Sequence, residues 1–163
     1  MTTSAPDTTE TTAPAHSNIR AQLRKDVTPD LYKKIRRLWI EHSIAEDARN
    51  IPGLLATLTP DCVYEVVQAG VKWEGHDGAA RFYTELLTAF PDIHFDLQHI
   101  VIGPQGVWEE AHVTGTQLGK WLDMDASGQS VEFDVTILFP WDTEQELFKG
   151  ERVHFFGLNL MHR

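Results

Sequence analysis

Leu86-Leu87-Thr88-Ala89-Phe90-Pro91-Asp92-Ile93-His94-Phe95 is the stretch where the chain passes from helical to extended patterning. Upstream of it, Ala79, Phe82, Tyr83, Leu86 and Phe90 recur at helical spacing after Gly75 and form one apolar side. Pro91 ends that helix, because proline has no N–H to donate and its ring clashes with the preceding turn. Downstream, residues 93–102 read as a strand and Gly103-Pro104-Gln105-Gly106 as a turn. Residues 107–118 form a second, longer strand. Residues 131–141 form a third, Asp142-Thr143-Glu144-Gln145 a turn, and residues 147–156 a fourth. The loop 119–129 carries Trp121, Met124 and Gly128. Strands that follow one another with no helix between them make an antiparallel meander, since parallel pairing needs long crossovers.

The same reading extends towards the N-terminus. Thr28-Pro29-Asp30 is a helix start: a capping hydroxyl, a proline pre-set for the first turn, and an acid at the positive end of the dipole. Leu31, Ile35, Leu38, Trp39 and His42 follow on one face, with Lys33, Lys34, Arg36 and Arg37 opposite. A short helix is expected over 52–58, burying Leu54, Leu55 and Leu58. Cys62-Val63-Tyr64-Glu65-Val66-Val67 reads as a strand, Ala69-Gly70 as a turn, and Val71-Lys72-Trp73 as a hairpin arm. Helices first and a meander afterwards define an α+β fold, a mainly antiparallel sheet over about three helices.

Bulk properties bound the rest. The 163 residues suffice for one core, expected over 18–163. Residues 1–17 are rich in Thr, Ala, Pro and Ser and are expected to be a disordered tail, not a secretory signal. A lead-in helix is expected over 19–26. The net charge of -10, from 24 acidic against 14 basic residues, argues against nucleic acid and anionic membranes as partners. No apolar run reaches the length of a membrane span. A single cysteine, Cys62, makes neither an internal disulfide nor a thiolate metal site, which fits a reducing, cytoplasmic setting. No metal site is expected from the eight histidines, which show no HxH or HExxH spacing.

Four segments carry a resemblance to a known family. Ala89-Phe90-Pro91-Asp92-Ile93-His94-Phe95 resembles the AFPD signature that ends the long helix of SnoaL-like polyketide cyclases and ester cyclases. Val113-Thr114-Gly115-Thr116-Gln117-Leu118-Gly119 resembles their TGTHxG turn, with Gln117 where histidine is frequent. Ser127-Gly128-Gln129-Ser130-Val131-Glu132-Phe133 resembles the entry to their next strand, and Glu151-Arg152-Val153-His154-Phe155 their last strand. The likeness spans residues 31–161. It implies the cone-shaped barrel of the nuclear transport factor 2 superfamily, a homodimer through the sheet, and a ring-closing aldol step that uses neither metal nor cofactor. The family's acid/base Asp falls close to Val153 and its His close to Thr136, and neither residue type stands there.

Other polar residues are then the candidates. His112 lies mid-strand and lines the pocket if the even positions of its strand face inward; otherwise it is satisfied by neighbours or faces a dimer partner. Asp134 alternates with the apolar row Phe133, Val135, Ile137 and Phe139, and either looks into the cavity or sits on a solvated sheet face. Neighbouring strands would let His112 and Asp134 meet as base and orienting partner. Tyr64, Trp39, Trp121, Phe82, Thr136 and His154 are the expected substrate contacts, with packing the competing role for the aromatics. Glu46 and Asp47 lie at the end of the first helix, where the resemblance implies a catalytic Asp in some dehydratases of the superfamily; an exposed helix end is the stronger reading. The expected activity is acid/base cyclisation, dehydration or isomerisation of a small hydrophobic, polyketide-like carbonyl compound. A non-catalytic ligand-binding or accessory protein is the alternative. The apolar row on the third strand of the meander is expected to face a second copy across the outer sheet.

Overall fold

The computed structural model describes residues 16–156, so the expected tail lies almost wholly outside the described residues. The lead-in helix is α1, His16–Gln22. Helix α2, Pro29–Asp47, begins as its sequence dictates: Thr28 is extended and its hydroxyl accepts from the Leu31 amide at 3.2 Å. Helix α3, Ile51–Leu55, is shorter than expected. Leu58 already belongs to strand β1, Leu58–Val66, where it is buried as a strand residue. Strand β2, Val71–Glu74, pairs back on β1, and helix α4, Gly75–Ala89, follows. The meander is β3 (His94–Gly103), β4 (Gly106–Thr116), β5 (Ser130–Asp142) and β6 (Leu147–Phe156).

These strands form one six-stranded sheet in the order β2-β1-β6-β5-β4-β3. Every pairing is antiparallel except β1 with β6. The last strand therefore lies in the middle of the sheet. Gly150 makes that insertion possible: its φ is +105°, and a Cβ there would stand 2.0 Å from the Val63 carbonyl oxygen.

Helices α2 and α4 cover one face of the sheet. Val107, Glu109, Ala111 and Val113 of β4 and Val131, Phe133, Val135, Ile137 and Phe139 of β5 are buried on it. This corrects the expected facing of β5. Its apolar row turns towards the helices, where cover is available, and Glu132 and Asp134 are left on the outer face. Cross-strand register extends that face through Asp96, His112, Asp134 and Phe156 and through His99, Glu110, Thr136 and His154.

Candidate active site

A cavity of about 310 Å³ lies between α4, the inner face of the sheet and the loop 119–129. Its walls are mostly apolar: Phe82 and Leu86 from α4, Phe90 just past its end, Phe133, Val135 and Ile137 from β5, and Trp121 from the loop. Trp121 is held by stacking on Trp73, with ring centroids 6.1 Å apart and planes at 8°. Gln117 shapes the loop: its amide donates to the Asp125 carbonyl at 3.1 Å and its carbonyl accepts from the Ser127 hydroxyl at 2.9 Å. Polar lining comes from few residues, and three of them are carboxyls: Glu46 at the end of α2, Glu151 on β6 and Asp123 in the loop.

Glu151 is anchored from behind by a buried network. The Tyr83 hydroxyl donates to its Oε1 at 2.7 Å, and His42 Nε2 lies 3.1 Å from the same oxygen and 3.0 Å from the Tyr83 oxygen. His42 Nδ1 is 2.6 Å from Thr57 Oγ1, which donates to the Leu54 carbonyl at 2.7 Å. Tyr64 reaches Tyr83 hydroxyl to hydroxyl at 3.1 Å. His42, Thr57, Tyr64, Tyr83 and Glu151 are all buried. A third acid, Glu109 of β4, accepts from Trp39 Nε1 at 2.8 Å.

The grouping of acids in an apolar setting moves their protons. Burial, and then the charge of Glu151, pushes the Glu46 carboxyl up to about 8, with His42 pulling the other way. Burial and Glu151 push Glu109 up to about 8 as well, against the hydrogen bond from Trp39. Burial and Glu151 also hold both tyrosine hydroxyls well above their ordinary range. Near neutral pH the cavity thus offers a carboxylic acid at Glu46 beside the anchored Glu151.

The residues expected from sequence divide between the two sheet faces. Trp121 and Phe82 line the cavity. Tyr64 stands behind it in the network, and Trp39 packs on the core and binds Glu109. His112 and Asp134 do meet across β4 and β5, at 2.8 Å, but on the outer face. Their side chains are 35% and 60% exposed, and neither lines the cavity. Asp134 and Glu132, 3.2 Å from the other ring nitrogen, raise the His112 pKa as surface partners do. Thr136 and His154 pair on the same outer face, where the Thr136 hydroxyl is buried without a partner among the described residues. The reversed facing of β5 and the parity of β4 account for all four.

Three functional candidates stand elsewhere. Glu46, expected on an exposed helix end, is half-buried and lines the cavity. The signal was its spacing, four residues beyond His42 on the stripe that starts at Leu31. His42 itself was visible on that stripe as an apolar-face histidine. Glu151 is two residues before Val153; a displacement of two keeps the strand face, whereas a displacement of one reverses it. Among the described residues, no group of three or more His, Cys, Asp or Glu side chains is arranged to hold a metal ion. No helix there is long and apolar enough to cross a membrane.

An α+β sheet of this order, with helices on one face enclosing an apolar cavity, is the NTF2-like fold. An NTF2-like protein of unknown function from Burkholderia pseudomallei superposes with a TM-score of 0.66 at 16% identity, over 78% of this chain and 95% of that one. Residues 30–145 match the SnoaL family, described as SnoaL-like polyketide cyclase, and the chain belongs to that family. Two further structures agree in fold. One, from Jannaschia sp. CCS1, is assigned to the SnoaL-like polyketide cyclases and gives a TM-score of 0.72 at 20% identity, over 84% of this chain and 94% of that one. The other is TerC, co-crystallised with polyporic acid, with a TM-score of 0.64 at 14% identity, over 78% and 95%. Among curated proteins, none matches.

Proposed function

We propose that the protein is a cofactor-independent acid/base enzyme that acts on a small hydrophobic carbonyl compound in the cavity, with Glu151 as proton acceptor and Glu46 as proton donor. The observation that carries this reading is the placing of Glu46 and Glu151 in one apolar cavity, with Glu46 raised to about 8. Glu151 takes the proton next to the carbonyl, and Glu46 gives its proton to the developing enolate oxygen. The electron pair of the broken C–H bond becomes the enol double bond. The enol then cyclises, loses water or returns as an isomer. Family membership and the co-crystallisation of TerC with polyporic acid support a polyketide-like ligand.

The test is a panel of hydrophobic ketones and β-dicarbonyl compounds. A compound that fits raises the melting temperature, because it binds only the folded state. The same compound should exchange its α-protons in deuterated water faster with the protein than without it. Stabilisation without exchange would favour a ligand-binding protein over an enzyme.

We also propose a homodimer through the outer sheet face, on different residues from those expected. Val101, Trp108 and Phe156 are exposed there, and the Thr136 hydroxyl lacks a partner among the described residues. Sedimentation at high concentration tests it: a dimer is expected, and a monomer would contradict it.

A further inference from the structure

We infer that His42 and Glu151 hold one proton beyond those that a neutral imidazole and an ionised carboxylate carry, and that Thr57 keeps it there by fixing the His42 ring. The role this gives His42, a positioning residue behind Glu151, rests on the reading above; the proton itself follows from counting hydrogens.

A threonine hydroxyl has one hydrogen. The Leu54 carbonyl, 2.7 Å from Thr57 Oγ1, can only accept, so that hydrogen is committed to it. Thr57 Oγ1 must then accept from His42, which places a hydrogen on Nδ1. A neutral ring has no hydrogen left for Nε2. Yet Nε2 faces Glu151 Oε1 at 3.1 Å and the Tyr83 oxygen at 3.0 Å, and those two oxygens are 2.7 Å apart. Tyr83 also has one hydrogen. If it goes to Glu151, Nε2 and Oε1 meet as two acceptors. If it goes to Nε2, the Tyr83 oxygen and an ionised Glu151 meet as two acceptors at the shorter distance. Either conflict is costly without water, and His42 and Glu151 are 1% and 3% exposed. One added proton, on the imidazole or on the carboxyl, removes both conflicts.

The surroundings favour retention. Phe139 and Phe148 stand nearly perpendicular to the imidazole, with centroids 5.4 and 6.3 Å away. The titratable groups around it are Glu46 of its own helix, Tyr83 of α4, Tyr64 of β1 behind Tyr83, Glu109 of β4 and Glu151 of β6. All of these are acids, and among the described residues no lysine or arginine takes part in the network. A proton that resides on the ring leaves Glu151 able to accept one from a ligand.

Nitrogen NMR on the full chain with ¹⁵N-labelled histidine tests this directly, with His42 assigned by its loss in His42→Asn. The expected result is a hydrogen on Nδ1 from about pH 6 to 8, plus a slowly exchanging proton between Nε2 and Glu151. In Thr57→Val that second proton should exchange about tenfold or more faster, because the ring loses a buried partner. Thr57→Ser should keep the wild-type rate. A bare Nδ1, no proton at Nε2 and Glu151, or unchanged exchange in Thr57→Val would overturn the inference. The expected spectra in a protein that exchanges no ligand protons would keep the proton in place and overturn only the enzymatic reading.

Discussion

Glu46 and Glu151 line the same cavity, one from the end of α2 and the other from the middle of the sheet on β6. Burial first, and then the charge of Glu151, holds the proton on Glu46.

Stability should fall as pH rises through the neutral range. Glu109 and Glu46 are raised in the folded chain from 4.5 to about 8, so the fold binds these protons more tightly than the unfolded chain does. The stability this contributes is complete below about 4.5 and is lost as pH rises towards about 8. Urea unfolding should therefore give a lower midpoint at about pH 8.5 than at about pH 6. Glu109→Gln keeps an acceptor for Trp39 and should flatten this dependence. An unchanged slope would contradict the placement of Glu109.

His112→Ala should leave ligand binding and turnover unchanged, because His112 and Asp134 sit on the outer face. Its folded pKa is raised by Asp134, so the stability from this contact is present at low pH and lost as pH rises through the folded value. Calorimetry of the variant should show its deficit at acidic pH and none at alkaline pH. A deficit that grows with pH would be inconsistent with the ion pair.

Trp121→Ala should weaken ligand binding and lower the melting temperature. It removes the stack on Trp73, worth about 0.5–1.5 kcal/mol beyond area burial, together with one cavity wall. Trp121→Phe should recover part of both losses. A ligand-induced thermal shift equal to wild type in the alanine variant would remove Trp121 from the binding site.

Gly150→Ala should destabilise the chain by about 1–3 kcal/mol from backbone strain alone, before any clash with Val63. Chemical denaturation measures it. A neutral effect would mean that β1 and β6 do not approach this closely.

Much of the fold was legible in the sequence because its signals are local. The Thr28 cap, the stop at Pro91 and the glycine turns each act over a few residues, and the strands they bound agree with those observed. Strand facing was harder to read. On β5 the apolar row and the polar row alternate with equal clarity, and only the position of α2 and α4 decides which one is covered. That nonlocal fact sends Phe133 inward and Asp134 outward. The site was hidden for the same reason. Glu46 looks like any charge at a helix end until β6 and the cavity are set beside it. Tyr83 and His42 carry helical spacing that marks them as buried but not as partners of Glu151.

Under the function proposed above, the proton moves through the cavity carboxyls and not through His112. The direct measurement is α-proton exchange of a bound hydrophobic carbonyl compound in deuterated water, compared between wild type, Glu151→Gln and His112→Ala. Glu151→Gln should slow exchange by about a hundred- to ten-thousand-fold, the usual contribution of a general base, while His112→Ala keeps the wild-type rate. Wild-type exchange in Glu151→Gln, or its loss in His112→Ala, would contradict the assignment of the cavity carboxyls.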